Sequence, residues 1–304
     1  MTRRPQVNLL TDGHRLHLQD GPIDLICGAS GHPGDIRAAY AAAAYALDGL
    51  LDRLCAELPA LRHRAGPLAP PLRDPVARCM AAAVSPYAAE TFITPMAAVA
   101  GAVAEAVLAA MDAAAHLDRV YVNNGGDIAL RCGPGQHFAV GLIDRPDRPN
   151  LFGRVRVGNG DGIEGIATSG WRGRSFSRGI ADSVTVLAGT AAEADAAATV
   201  IANAVDLPGH PAVHRARACG LQPDSDLGDR LVTRGVEALA PAEAAEALAA
   251  GRLRALDLLR HGLIVGAALQ VQGHVALVGA PRVLEESGRA EPPAARAREV
   301  AIHA

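Results

Sequence analysis

The sequence predicts an α+β domain, a layered fold of mainly antiparallel sheet with Ala-rich helices packed on it. Three observations carry that expectation. Strand-like segments arrive in adjacent runs with helices between the runs, not in strict alternation. Turn signals such as Asp20-Gly21-Pro22 and Gln272-Gly273 separate apolar segments as hairpins require. Half the chain is apolar but only 3% is aromatic, so its core is built from small side chains that let helices sit close to a sheet.

Taken in order, residues 14–27 alternate and turn at Asp20-Gly21-Pro22, a hairpin preceded by a short strand at 6–10. A long Ala-rich helix is expected over 34–57, then a proline-rich surface loop at 64–75 and a short helix at 75–84. The main helix starts at Thr94 with Pro95 in its first turn. Met96, Val99, Ala100, Val103, Val107 and Met111 share one of its faces, and Glu105 and Asp112 lie opposite. Strands follow at 118–124, 127–132, 136–143, 152–157, 163–168 and 182–188. Thr190 and Glu193 form a T-x-x-E capping signature that opens a helix to residue 204. A helical stretch at 241–249 and a hairpin turning at Gln272-Gly273 complete the pattern. Residues 1–280 read as one domain, and 281–304 as a polar, proline-containing tail outside the core.

Bulk properties exclude several classes. A net charge of −3 supplies no basic field for nucleic acid. Five scattered cysteines match neither a disulfide framework nor a zinc site, and suit a reducing cytoplasm. The first residues contain two arginines but no apolar run after them, so no secretory signal is expected. The longest apolar run, 94–117, is interrupted by Glu105, Asp112 and His116 and reads as a buried helix, with no membrane partner. Its Ala-rich face would serve a homo-oligomer as well as a core.

Three stretches hold candidate chemistry. In YVNNGGDIAL (121–130), Asn123, Asn124, Gly125, Gly126 and Asp127 break a strand. Asn-Gly and Gly-Asp favour a hairpin turn, and strand glycines also permit close backbone approach. The stretch ATSGWRGRSFSRGIADS (167–183) gathers hydroxyls, glycines and arginines, the donors that an anion takes. Asp195, Thr199 and Asn203 repeat at i, i+4 and i+8 on one helix. A carboxylate and a hydroxyl one turn apart are hard oxygen donors for magnesium, and the same residues also make a solvated stripe. The histidines show no ligand spacing, and no nucleophile elbow, Walker loop or dinucleotide fingerprint is present.

The order VNNGGDI, ATSG, SVTVLAGTAAEADAAAT resembles the ApbE superfamily, the FAD:protein FMN transferases, over residues 80–205. A shorter branch of that superfamily is similar almost continuously, at TPMAAVAGAVAE (94–105), NNGGDIAL (123–130), TSGWRGRSFSRGIADSVTV (168–186) and ADAAATVIANAV (194–205). The resemblance implies an ApbE-like layered fold, magnesium on Asp195 and Thr199, and FAD as the ligand. It implies a pocket wall from Asn124, Gly125, Gly126 and Asp127, with Thr168, Ser169 and Gly170 opposite. Arg174 and Ser175 are the further anion ligands, and Ser177 and Asp182 the candidate catalytic groups, Asp182 standing near an aspartate of the superfamily's loop. Two superfamily features are missing. An Ala-Lys-Gly-Tyr run is replaced by AAVAGAVA (97–104), and a histidine-containing loop is replaced by SFSRGIAD.

These features imply a metal- and anion-binding protein acting on a small molecule that carries phosphate or carboxylate. Magnesium-dependent FMN transfer or FAD pyrophosphate cleavage is the nearest named activity. Non-enzymatic binding or assembly on the same scaffold, and a different reaction in a specialised cofactor pathway, are the alternatives.

Overall fold

The computed structural model describes residues 4–143 and 151–279, and two short strands at 284–286 and 302–303. The rest of the expected tail at 281–304 lies outside the described residues. The described chain divides into two compact units, one drawn from 1–136, 162–167 and 189–196, the other from 137–161, 168–188 and 197–304.

The first unit is an antiparallel sheet with helices on it. Strands β1 (Gln6–Leu9), β2 (Leu16–Asp20), β3 (Ile23–Gly31), β4 (Leu117–Asn124) and β5 (Asp127–Cys132) pair in that order, and β5 pairs next with the start of Gly165–Ser169. Along β2 and the start of β3 buried and half-buried residues alternate, as a strand with one face on the core requires. The expected helix over 34–57 is instead α1 (Pro33–Leu47) and α2 (Leu50–Ala56), with α3 (Leu58–Leu61) following. The break falls where Gly49 adopts φ +68, a left-handed conformation that ends a helix. Helix α4 (Pro75–Val84) is capped by Asp74, whose carboxylate accepts from the amides of Val76 and Ala77 at 2.8 and 3.3 Å.

The main helix opens with a 3₁₀ turn, Pro95–Ala98, before α5 (Val99–Ala114). Its buried face contains Val103, Val107 and Met111, as the periodicity predicts, while Met96, Val99 and Ala100 are only half-buried. The segment Pro95–Ala114 is the one helix among the described residues long and apolar enough to cross a membrane. Within its unit, α5 packs on β4 and β5, as a core helix does.

In the second unit, β6 (His137–Ile143) and β7 (Leu151–Gly158) pair antiparallel. Strand β8 (Gly165–Ser169) begins in the first unit and ends in the second, as does helix α6 (Ala191–Ala204). The fully buried β9 (Ser183–Ala188) pairs with β12 (Gly266–Val271), and β12 with β13 (His274–Gly279). The hairpin turns at Gln272 (φ +45) and Gly273 (φ +85), the two positive angles of a type I′ turn. Strands β14 (Leu284–Glu286) and β15 (Ile302–His303) flank β7 and β6.

Two features of this unit differ from the sequence expectation. A two-stranded sheet of β10 (Val213–Arg217) and β11 (Leu231–Val236), bridged by α7 (Ala218–Leu221), occupies a stretch with no apolar alternation to announce it. Helix α8 (Pro241–Arg260) continues well past residue 249. Gly251 within it is a packing notch, since a Cβ there would stand 2.2 Å from Cγ2 of Val205.

Candidate functional site

The first unit brings one group of the expected residues together. Asn124 and Asp127 are the last cross-strand pair of β4 and β5, and Gly125 (φ +67) and Gly126 (φ +113) form the turn between them. NNGGD is therefore a hairpin tip, yet Asn124 is buried and not splayed into solvent. Its side-chain amide donates to the carbonyl of Ala100 at 3.1 Å, which ties the hairpin to the first turn of α5. The Asn123 side-chain oxygen accepts from the amide of Gly126 at 2.8 Å and closes the turn from within.

That first turn of α5 has no cap from its own chain neighbour. Ala98 precedes it and offers no side-chain acceptor. The acceptor comes from α6, where Oδ2 of Asp195 takes the Gly101 amide at 3.0 Å and the carboxylate also takes the amide of Ala100. The positive end of a helix favours this carboxylate. Even so, the Asp195 carboxyl titrates well above the ordinary carboxylate range. Desolvation is the main cause and repulsion from Asp127 the second, and together they outweigh the two amides. Part of Asp195 stays accessible to solvent, but the protein is dense enough around it for desolvation to dominate.

Two carboxylates, of which one, Asp127, raises the proton affinity of the other, Asp195, have two ways to relax. They share a proton, or they hold a cation. Among the described residues no three His, Cys, Asp or Glu side chains gather as a metal cluster, and the carboxylates linked here are two, Asp127 and Asp195. Such a sparse set suits magnesium, which uses one or two carboxylates and fills its octahedron with water and substrate phosphate. Thr199 stands one turn beyond Asp195 on α6 and is half-buried.

The second unit holds the other group. The Thr168 and Thr185 hydroxyls are hydrogen-bonded at 2.8 Å, and Ser169, half-buried, ends β8. Gly170 is required by close approach, because a Cβ would meet the carbonyl oxygen of Asp182 at 2.3 Å. Arg174 and Ser175 are exposed on the loop that follows. Asp182 is buried with both oxygens engaged. Oδ1 accepts from Nε of Arg172 at 2.8 Å, and Oδ2 accepts from the Gln272 amide at 2.6 Å. The Arg172 guanidinium also lies 4.2 Å from the ring centre of Trp171. Ser177 is buried too. Its hydroxyl faces Oδ1 of Asn203 at 3.5 Å and accepts from the Gly179 amide, while its carbonyl accepts from the Thr233 amide at 2.8 Å.

Both candidate catalytic groups are thus engaged in holding their loop. Asp182→Ala would leave Arg172 without its buried carboxylate and the Gln272 amide without an acceptor. It is expected to cost about 3 kcal/mol, and Asp182→Asn, which keeps an acceptor, distinctly less. Urea denaturation of both variants measures the difference.

The sequence singles out Asp195 and the NNGGD turn and gives no role to Glu105 or to the Ala100 and Gly101 amides. The available signal is Gly101 itself, a glycine in an otherwise Ala-rich helix.

The chain belongs to the family described as AbpE bacteria, whose model matches residues 7–277. It is 43% identical over 129 residues to a UPF0280 protein of Methanopyrus kandleri, covering 42% of this chain and 48% of that protein. It is 33% identical over 165 residues to a UPF0280 protein of Methanosphaerula palustris, covering 51% and 63%. The chain spans about half the length of the curated relatives it matches first. Among solved structures it is similar to the apo form of the Pseudomonas stutzeri flavinyl transferase ApbE. That match has 12% identity and a TM-score of 0.44, covering 92% of this chain and 96% of the other.

Proposed function

We propose that this chain binds a divalent cation together with a phosphate-bearing small molecule, in the manner of the ApbE-type flavin transferases. Magnesium is the cation of choice and FAD the nearest ligand class. The observation that supports this reading is that Asp195 and the hairpin that carries Asp127 are both tied to the first turn of α5, through the Gly101 amide and the Ala100 carbonyl, which brings together two carboxylates whose repulsion a cation would relieve. Asp195 and Asp127 would hold the metal, with ligand and water filling its other positions. Bound there, magnesium would neutralise charge on a pyrophosphate. The chain's own residues do the positioning. Asn124 fixes the hairpin on α5, and the Ala100 and Gly101 amides orient the Asp195 carboxylate.

Titration calorimetry tests the proposal. Magnesium alone is expected to bind weakly, and at least about tenfold more tightly once inorganic pyrophosphate or FAD fills its remaining positions. Asp127→Asn should remove the enhancement. Identical magnesium isotherms with and without either ligand would refute it.

A second reading, ligand binding without turnover, draws support from the engagement of Asp182 and Ser177 in internal contacts. Incubation with FAD and magnesium separates the two readings. Release of AMP indicates transfer or pyrophosphate cleavage, and bound but intact FAD indicates binding alone.

A further inference from the structure

The sequence places Glu105 opposite the apolar face of the main helix, but its side chain is half-buried and directed at another helix. Its Oε2 accepts from the Ala192 amide in the first turn of α6 at 3.3 Å, and its carboxylate also takes a hydrogen bond from the Thr190 side chain. The Thr190 hydroxyl in turn accepts from the Glu193 amide at 3.3 Å. The Sγ of Cys79 on α4 lies 3.9 Å from Oε1. Burial raises the Glu105 carboxyl above its ordinary range, and the neighbouring Glu193 carboxylate adds to that.

Set beside the contact of Asp195 with Gly101, this arrangement is reciprocal. Helix α6 lends a carboxylate to the start of α5, and α5 lends one to the start of α6. Beside these tethers the helices touch backbone to backbone. A Cβ on Gly101 would lie 2.2 Å from the Ala191 carbonyl oxygen. A single tether at a point contact leaves a helix free to pivot about it, whereas two separate tethers, one at Gly101 and one at Ala192, restrict its rotation. The quantity so fixed is the direction in which Asp195 points, and a site carboxylate displaced by about 1 Å loses much of its effect.

We propose that Glu105 is a positioning residue for the carboxylate pair, acting through the first turn of α6 to hold Asp195 facing Asp127. This rests on the cation-binding reading above. It extends that reading to a residue that makes no contact with the cation or its ligand.

The test compares Glu105→Gln, which keeps an oxygen acceptor for the Ala192 amide, with Glu105→Ala, which removes it. Two readouts are needed: magnesium affinity in the presence of inorganic pyrophosphate, and hydrogen exchange at the Gly101 amide. Glu105→Ala is expected to weaken magnesium by about tenfold and to speed Gly101 exchange, although the substituted residue lies a full turn from that amide. Glu105→Gln should stay within about twofold of wild type in both. If Glu105→Ala lowers the melting temperature but leaves magnesium affinity and Gly101 exchange at wild-type values, Glu105 is a cap only and the proposal is wrong. Should that variant fail to fold, Glu105→Asp, shorter by one methylene, is expected to show the same two effects in smaller size. Wild-type protein that binds no magnesium under these conditions overturns the cation reading and this role of Glu105 with it. Unchanged Gly101 exchange alongside normal wild-type magnesium binding overturns the positioning role alone.

Discussion

Asp195→Asn is expected to make the metal-free protein more stable at neutral pH and to abolish its response to magnesium. The two effects have one cause. In the folded protein the Asp195 carboxyl is raised well above its ordinary value by desolvation and by Asp127, while in the unfolded chain it ionises as an ordinary aspartate. A group raised on folding contributes stability that is fully present below its unfolded pKa and is lost as pH rises toward its folded one. Each tenfold difference in proton affinity between the two states corresponds to about 1.4 kcal/mol of that loss. Asparagine cannot ionise, and its side-chain oxygen can still accept from the Gly101 amide, so the substitution removes the loss and keeps that hydrogen bond. The melting temperature of the variant should therefore exceed that of wild type by about 2 °C or more at pH 7. The gap should narrow as pH falls toward about 4, where an ordinary aspartate begins to protonate. Magnesium with pyrophosphate should stabilise wild type and leave the variant unmoved. A variant less stable than wild type at pH 7 would mean that the carboxylate serves the α5 N-terminus as an anion, and that Asp127 is too distant to matter.

Gly101→Ala carries the second large effect, and its sign separates two physical arguments. Inside a helix, alanine is preferred to glycine by about 1 kcal/mol, so propensity alone predicts a more stable protein. Packing predicts the opposite. The added Cβ would stand 2.2 Å from the Ala191 carbonyl oxygen and 2.5 Å from its carbonyl carbon, both of them backbone atoms that cannot rotate away. Helix α6 would have to move, straining the bonds made by Asp195 and Glu105 together. Overpacking of this kind costs about 1–3 kcal/mol and occasionally more. With backbone on one side of the contact and two hydrogen-bonded carboxylates beside it, a net destabilisation of about 2 kcal/mol is expected, together with weaker magnesium binding. Chemical denaturation and calorimetry measure the two. A stabilised variant would show that the helices are not in contact at this residue.

Much of the fold is legible in the sequence because its signals are local. The alternation along β2, the run of small apolar residues in α5, the Asp74-Pro75 start of α4 and the Gln272-Gly273 turn each lie within a few residues and give an α+β arrangement directly. The first helix reads too long because Gly49 among alanines and leucines carries no mark of its left-handed conformation. Helix α8 reads too short, and the Gly251 inside it serves packing against Val205 and not a turn. Strands β10 and β11 have charged and polar residues where alternation would be sought.

At the site, Asp195 stands out through its spacing to Thr199, and the hairpin through its glycines. The repulsion of Asp195 by Asp127 and the exchange of caps between α5 and α6 join segments far apart in the chain. Nothing in the neighbourhood of Glu105 distinguishes it from any glutamate on the polar face of a helix, because its partners are the backbone of Ala192 and the hydroxyl of Thr190.

The central claim is that Asp127 and Asp195 together hold a divalent cation. Anomalous diffraction from crystals grown with manganese and pyrophosphate addresses it most directly. The account predicts an anomalous peak within about 2.5 Å of an oxygen from each carboxylate, with the remaining positions filled by pyrophosphate and water. A map without that peak, showing the two carboxyl groups joined by a short hydrogen bond of about 2.6 Å around a shared proton, would contradict it.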